Sequence, residues 1–145
     1  MTVADMQILL VCQITAAEQC LAYGYAIEEL RANTAIIGEL TAAIALGGTL
    51  SPNNNERGWD VEGGDGLKYQ VKTYTVNRHG RRKVKASTAH LADMTLCYLI
   101  RAIDGKIVIE QTACLTRAEV LATPVFVDGN TLYHSAPCPR YVKKP

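Results

Sequence analysis

The chain has 145 residues and a formal net charge of +1, with 48% hydrophobic and 20% charged residues. This length suffices for one domain whose core needs neither disulfides nor metals. The composition is typical of a globular protein and excludes an intrinsically disordered chain. The near-neutral charge argues against a globally basic nucleic-acid binder. A local basic patch can still act over about 8–10 Å, the screening length at ordinary salt.

Capping residues and helical spacing predict that the first third of the chain is helical. Thr2 and Asp5 form a candidate capping box, and Gly24 interrupts the helix that follows. A second helix ends near Leu46, where Gly47-Gly48 provides a stop signal. The apolar positions expected to face the core are Met6, Leu9, Leu10, Ile14, Ala17 and Leu21 in the first helix, and Ile36, Ile37, Leu40, Ala43 and Ile44 in the second.

Glu39 falls inside the apolar arc of the second predicted helix. A carboxylate at this position lies either at the rim of the core, where it reaches water, or in a polar site. The sequence leaves both readings open.

After a predicted loop at 51–55, the period of the sequence changes to two. Gln70 and Lys72 then lie on one face of a strand, and Val71 lies on the other. Gly63-Gly64-Asp65-Gly66 turns the chain between this strand and a short one around Asp60. A basic loop follows at 77–85.

The rest of the chain is predicted to continue the sheet. Met94 to Ile103 and Lys106 to Glu110 form a hairpin around Asp104-Gly105. Thr116 and Glu119 open a short helix that runs through Leu121. A small hairpin at 125–133 and a mobile tail at 137–145 complete the chain.

This order of elements predicts an α/β sandwich around a mixed or antiparallel sheet, within a single domain at 1–136. Residues 1–48 form its helical N-terminal part, and residues 58–136 form its sheet with the C-terminal helix and hairpin. The five cysteines lack a CxxC pair and are expected to be reduced and buried, as in a cytoplasmic protein. Ile8 to Val11 is too short an apolar run to span a bilayer, and no signal peptide is evident, so no membrane partner is expected.

Asp60, Gln70 and Lys72 are the residues whose pattern suggests a reaction. Magnesium prefers oxygen ligands and usually takes one or two carboxylates. Asp60, the Gln70 side-chain carbonyl and the Val71 backbone carbonyl are candidate ligands. Lys72 is placed to orient water or to stabilise charge on a phosphate. Asp60 joins this set only if the loop between the strands has an odd length, and the sequence does not decide that register.

These segments resemble the PD-(D/E)XK restriction-endonuclease-like superfamily, in particular its small members with a "GyD…QxK" signature. The matching pieces are Ile37-Gly38-Glu39-Leu40-Thr41-Ala42, Gly58-Trp59-Asp60 and Tyr69-Gln70-Val71-Lys72-Thr73. The likeness covers residues 36–109.

The resemblance implies an α/β/α sandwich with a mixed, mainly antiparallel four-stranded sheet, and cleavage of DNA with Mg²⁺, for which Mn²⁺ substitutes. Asp60 would bind the metal and Lys72 would be the catalytic lysine. Glu39 matches an auxiliary acidic residue on the first helix of some members. Gln70 stands where the family more often has Glu, which removes one negative charge from the site.

The basic loop after the Gln70–Lys72 strand is either a solvated loop or a contact for the DNA phosphate backbone. The residues predicted to make that contact are Arg78, Arg81, Arg82, Lys83 and Lys85.

Two alternatives to a solitary nuclease remain open. The Gln at position 70 and the small size of the chain also suit a nuclease-fold module that binds DNA or assembles a complex without catalysis. The long apolar N-terminal segment exceeds what one small sheet face requires, and so predicts a homodimer.

Overall fold

The computed structural model describes residues 1–52, 58–75, 84–85, 91–121 and 133–134, which form a mixed α/β structure with two N-terminal helices. The helices are α1 (Val3–Ala22), α2 (Arg31–Ala45) and α3 (Arg117–Leu121), with a 3₁₀ turn at Ile27–Glu29 between the first two. The strands are β1 (Thr49–Leu50), β2 (Val61–Glu62), β3 (Lys68–Tyr74), β4 (Val84–Lys85), β5 (Met94–Ile103), β6 (Lys106–Thr116) and β7 (Tyr133–His134). No helix among these residues is long and apolar enough to cross a membrane.

Both predicted capping boxes are confirmed. Asp5 N–H donates to Thr2 Oγ1 at 3.1 Å, and Thr2 N–H donates to Asp5 Oδ2 at 2.7 Å. The same exchange joins Glu119 and Thr116 at the start of α3, over 3.2 and 3.1 Å. Each box satisfies backbone donors that a helix start leaves unpaired. Helix α1 ends before Gly24, which has a φ of +96°; glycine adopts this conformation with little steric strain because it has no Cβ.

The main sheet has five strands in the order β1-β2-β3-β5-β6. Only β3 and β5 run parallel, so the prediction of a mixed, mainly antiparallel sheet is confirmed. The count exceeds the predicted four because Thr49–Leu50, directly after the Gly47-Gly48 stop, pairs with β2. Sequence periodicity cannot detect so short a strand, which exists only through its partner.

Strands β5 and β6 form a long hairpin around Asp104-Gly105. Both turn residues have positive φ, +51° and +75°, as a two-residue hairpin turn requires. Strand β6 continues to Thr116, six residues beyond the predicted end at Glu110. The prediction was too short because Gln111 and Thr112 interrupt the apolar run, although β5 pairs along the whole length.

Helices α1 and α2 cover one face of this sheet. The buried cluster between them consists of Met6, Leu40, Ala42, Ala43, Val61, Tyr69, Val71, Leu96 and Tyr98. Gly38 allows α2 to approach the sheet, because a Cβ at this position would overlap Thr73 Cγ2 and lie 3.5 Å from Val71 Cγ1. Ile36 and Leu9, both predicted to face the core, are instead 41% and 40% exposed.

Other predictions fall partly outside the described residues. Within the basic segment at 77–85, Val84–Lys85 is a strand that pairs antiparallel with β7, so the end of that segment is not a loop. The rest of the predicted C-terminal hairpin and the tail at 137–145 lie outside the described residues. Cys97 is buried as expected, whereas Cys12 is exposed, and Cys20 and Cys114 are half-buried.

Candidate active site

The turn between β2 and β3 sets the register on which the site depends. Val61 pairs with Tyr69 and Glu62 with Lys68. The loop between the paired residues is therefore 63–67, an odd length, and Asp60 directly precedes the paired Val61. Gly63 N–H donates to Leu67 O at 2.9 Å, and the Asp65 carboxylate accepts from Leu67 N–H at 2.9 Å. These contacts hold the turn in the register that brings Asp60 to the Gln70–Lys72 strand.

Asp60 is fixed by hydrogen bonds to both neighbouring strand segments. Its N–H donates to Tyr69 O, its carbonyl accepts from Ser51 N–H, and its carboxylate accepts from Val71 N–H, all at 2.8 Å. A side chain therefore takes the place of a backbone partner where β2 pairs no further with β3. The N–H and C=O of one strand residue point to the same side. The Val71 carbonyl thus faces the same edge as the Asp60 carboxylate.

Gln70 and Lys72 alternate with Val71 along β3. Val71 lies in the core beneath the helices, so Gln70 and Lys72 lie on the other sheet face, beside Thr95 and Cys97 of β5. Gln70 is only 4% exposed, whereas Lys72 is half-buried. The structure therefore places both residues on one face, as the period of two predicts.

Helix α2 brings Glu39 to the same neighbourhood. Gly38 lies against Thr73 and Val71, and the half-buried Glu39 follows it directly. Burial and, less strongly, the Asp60 carboxylate raise the pKa of Glu39 from 4.5 to about 7, while the charge of Lys72 acts to lower it. Of the two readings that the sequence left open, the polar site describes Glu39 better than the solvated rim.

Asp60 responds to the same surroundings. Burial raises the pKa of its carboxyl above the ordinary 3.8, while the hydrogen bond from Val71 N–H and the charge of Lys72 act to lower it. Glu39, Asp60 and Lys72 thus form an electrostatically coupled group, with one residue from α2, one from the end of β2 and one from β3. A cation placed between the two carboxylates would relieve the cost of ionising both.

The two acidic members of this group line a cleft of about 850 Å³. Glu39 and Asp60 lie on its wall with Glu62 and with an apolar part that includes Trp59, Ile36 and Leu50. The Lys68 ammonium lies 5.0 Å from the centre of the Trp59 ring, within the range of a cation–π interaction. Sequence reasoning placed Trp59 in a motif but gave it no role, although the only tryptophan of the chain directly precedes Asp60.

The donor set at this cleft fits a hard divalent cation. No group of three or more His, Cys, Asp or Glu side chains suited to a metal occurs within the described residues. Magnesium, however, commonly uses one or two carboxylates and completes its shell with carbonyl oxygens and water. Asp60 and Glu39 supply two carboxylates, and the Val71 carbonyl faces the same edge. The chemistry of these donors suits magnesium better than zinc, which prefers nitrogen and sulfur.

Two further acidic residues lie near the site, and most of the predicted DNA contacts lie outside the described residues. Glu62 is exposed on β2 and lines the same cleft, whereas Asp65 is engaged in the turn, where it also accepts from Tyr69 OH at 2.7 Å. Arg78, Arg81, Arg82 and Lys83 lie outside the described residues, and Lys85 belongs to β4. The contact of this segment with DNA therefore stays a prediction.

No protein-family model matches the chain, and no curated protein sequence is significantly similar to it.

Proposed function

We propose that the chain is a metal-dependent DNA endonuclease with a restriction-endonuclease-like α/β/α sandwich fold, which hydrolyses phosphodiester bonds. The observation that carries the proposal is the position of Asp60 directly before β2, where its N–H donates to Tyr69 O and its carboxylate accepts from Val71 N–H. Glu39 and Lys72 join Asp60 in one electrostatic group beside an open cleft. An acidic pair, a backbone carbonyl and a lysine are the groups that metal-assisted phosphoryl transfer needs.

The two carboxylates and the Val71 backbone have separate roles in this proposal. Asp60, Glu39 and the Val71 carbonyl would hold Mg²⁺ or Mn²⁺, with the Gln70 side-chain carbonyl as a further candidate ligand. When bound, the ion would polarise the phosphoryl oxygen and lower the pKa of the attacking water. The hydrogen bond from Val71 N–H fixes the orientation of the Asp60 carboxylate. Lys72 would orient the water or stabilise negative charge on the phosphate.

DNA is the proposed substrate because the basic segment 78–85 follows β3 directly in the chain. Its arginines and lysines would neutralise phosphates without reading sequence. Salt dependence provides a check: cleavage should weaken steeply as salt rises, and should do so less after removal of Arg81 and Arg82.

Plasmid nicking in Mg²⁺ or Mn²⁺ tests the proposal. Lys72→Ala and Asp60→Asn should each lower the nicking rate by about 100-fold or more, the size of effect seen when one charge-stabilising group is lost. Lys106→Ala and Asp104→Asn are matched controls on the distant β5–β6 hairpin and should nick like wild type. Asp104 suits this purpose because Asn also tolerates its positive φ. Equal nicking by wild type and Lys72→Ala would contradict the proposal.

The second candidate function is a nuclease-fold module that binds DNA without cleaving it. The observation that favours it is Gln70, a buried amide where a carboxylate would strengthen metal binding. DNA retention that needs no divalent cation and survives Asp60→Ala, together with absent nicking, would support this candidate over the endonuclease.

A homodimer formed through α1 is part of the proposal. Only Met6 and Ala17 of this helix are fully buried, whereas Ile8 and Val11 are each 63% exposed. A symmetric pair would cover these side chains and could present two sites to the two DNA strands. Sedimentation that shows only monomer at micromolar concentration would exclude the dimer and leave the endonuclease proposal standing.

A further inference from the structure

The cleft has two chemically different parts, and the proposed hydrolysis uses only one of them. Glu39, Asp60 and Glu62 lie on the polar part. The remainder is formed largely by uncharged side chains: Met1, Ile36, Thr49, Leu50, Ser51, Pro52 and Trp59. The volume of about 850 Å³ lies within the range of sites that enclose small organic groups. The apolar part therefore has room for a portion of the substrate beyond the phosphate.

Trp59 is the most specific element of this apolar part. Its neighbour Asp60 is held by three hydrogen bonds, so the backbone that carries the indole is fixed beside the carboxylate. The Lys68 ammonium lies over the ring at 5.0 Å from its centre. A flat ligand in the cleft would stack on the face of the ring opposite Lys68. Because its backbone is fixed and Lys68 contacts the ring, the indole would lose less conformational entropy when such a ligand binds.

Charge decides which part of a nucleotide suits this position. Three carboxylates at the polar part disfavour a second phosphate next to the one that a metal would hold. A nucleobase is flat and uncharged, and stacking on an aromatic ring is favourable for every base. Bases inside a duplex are already stacked on their neighbours, so only an unpaired base can occupy the cleft without a cost for unstacking.

We propose that the cleft binds an unpaired nucleobase stacked on Trp59, adjacent to the phosphate at Asp60 and Glu39. The identity of the polymer rests on the proposed nuclease function, whereas the stacking site rests on the cleft itself. The substrate class that follows is single-stranded DNA, or DNA with an unpaired base at the cleavage position, in preference to fully paired duplex.

Trp59 is the only tryptophan in the chain, so its fluorescence reports on this site alone. The full chain in Mg²⁺ is titrated with a single-stranded thymidine decamer and with a decamer of the same phosphate charge made of abasic nucleotides. The thymidine decamer should quench the fluorescence, with a Kd about tenfold lower than that of the abasic decamer. Equal Kd values and equal quenching would overturn the inference.

Variants at position 59 separate stacking from simple apolar contact. With a dye-labelled thymidine decamer and fluorescence anisotropy, Trp59→Phe should bind within about threefold of wild type, and Trp59→Leu about tenfold more weakly. Tyr23→Leu is the control, because Tyr23 is 84% exposed beyond the end of α1 and away from the cleft. Equal binding by the Phe and Leu variants would overturn the stacking site.

The two proposals fail in distinguishable ways. Base-dependent quenching without plasmid nicking would retain the stacking site and reject hydrolysis. Nicking that depends on Lys72, with equal affinity for the two decamers, would retain hydrolysis and reject the stacking site.

Discussion

Two antiparallel strand pairs of the same sheet differ in the length over which their backbones are paired. The β5–β6 hairpin pairs from Met94 with Thr116 to Ile103 with Lys106, with one irregularity at Cys97 and Tyr98. The β2–β3 pair contains only two residue pairs, and beyond it the Asp60 carboxylate accepts the Val71 N–H. The candidate site lies where the backbone ladder stops, because only there can a side chain and a strand carbonyl face the same open edge.

This difference has an energetic consequence. The long hairpin distributes its stability over many backbone hydrogen bonds, so the loss of one exposed side-chain contact there has little effect. The short pair depends on a few close contacts near the site. Substitutions near β2 and β3 should therefore affect stability and chemistry together, whereas those at exposed positions of β5 and β6 should affect neither by much.

Gly48→Ala should produce the largest loss of stability. A Cβ at this position would overlap the Glu62 carbonyl and lie 2.8 Å from Gly63 Cα, and backbone atoms cannot move aside as a side chain can. We expect a cost of about 2–3 kcal/mol from this overpacking, measured by urea unfolding. Gly24→Ala is the control: it has positive φ and open space, so it should cost about 1 kcal/mol from backbone strain alone. Equal costs for the two variants would contradict the close approach of β1 and β2.

Asp60→Ala compared with Asp60→Asn isolates the hydrogen bond to Val71. Both substitutions remove the charge, but only Asn keeps an oxygen that can accept the buried N–H. Asp60→Ala should therefore be less stable than Asp60→Asn by about 1–3 kcal/mol, the cost of an unsatisfied buried donor. Urea unfolding measures the difference, and both variants should lack nicking activity. Equal stability would mean that the carboxylate does not hold Val71 in solution.

Glu39→Gln should change the pH dependence of stability. Since burial, and then Asp60, raise the pKa of Glu39 from 4.5 to about 7, the folded state holds a proton that the unfolded state releases between these values. Wild-type stability therefore falls as the pH rises from 4.5 to about 7. Above that pH the contribution of Glu39 to stability no longer changes. The Gln variant does not titrate there, so in EDTA it should match wild type near pH 4.5 and exceed it above pH 7.

The size of that gain should be about 1–2 kcal/mol, reduced from the full shift because Glu39 is partly exposed. Thermal unfolding across this pH range measures it. Added Mg²⁺ should reverse the order, because ionised Glu39 would then bind the cation in wild type. A constant difference at every pH would contradict the burial of an ionising carboxylate at this site.

Glu110→Gln should have the smallest effect. Its carboxylate pairs with Arg101 across the β5–β6 hairpin at 3.1 Å, where the arginine side chain is 42% exposed. Exposed pairs of this kind contribute less than about 1 kcal/mol. Urea unfolding and plasmid nicking should both remain close to wild type. A loss of stability as large as that of Asp60→Ala would contradict the proposed difference between the two strand pairs.

Local sequence signals predicted the elements whose causes are local. The capping boxes at Thr2 and Thr116, the Asp104-Gly105 turn and the bounds of β5 all depend on residues within a few positions of each other. Strand β1 and the C-terminal half of β6 were missed, because they exist through pairing with distant partners. Ile36 was placed in the core because periodicity gives the direction of a side chain but not the edge of the contact.

For the candidate site, the sequence by itself determined that Gln70 and Lys72 share a strand face, since alternation is a property of any strand. It also offered Asp60 and Glu39 as acids, without deciding where either side chain lies. Tertiary structure decided the rest. The turn at 63–67 fixed the register that brings Asp60 against Tyr69 and Val71, and the absence of a Cβ at Gly38 let α2 bring Glu39 close to Asp60 and Lys72. Register and helix approach depend on contacts between segments far apart in the chain, which no local pattern encodes.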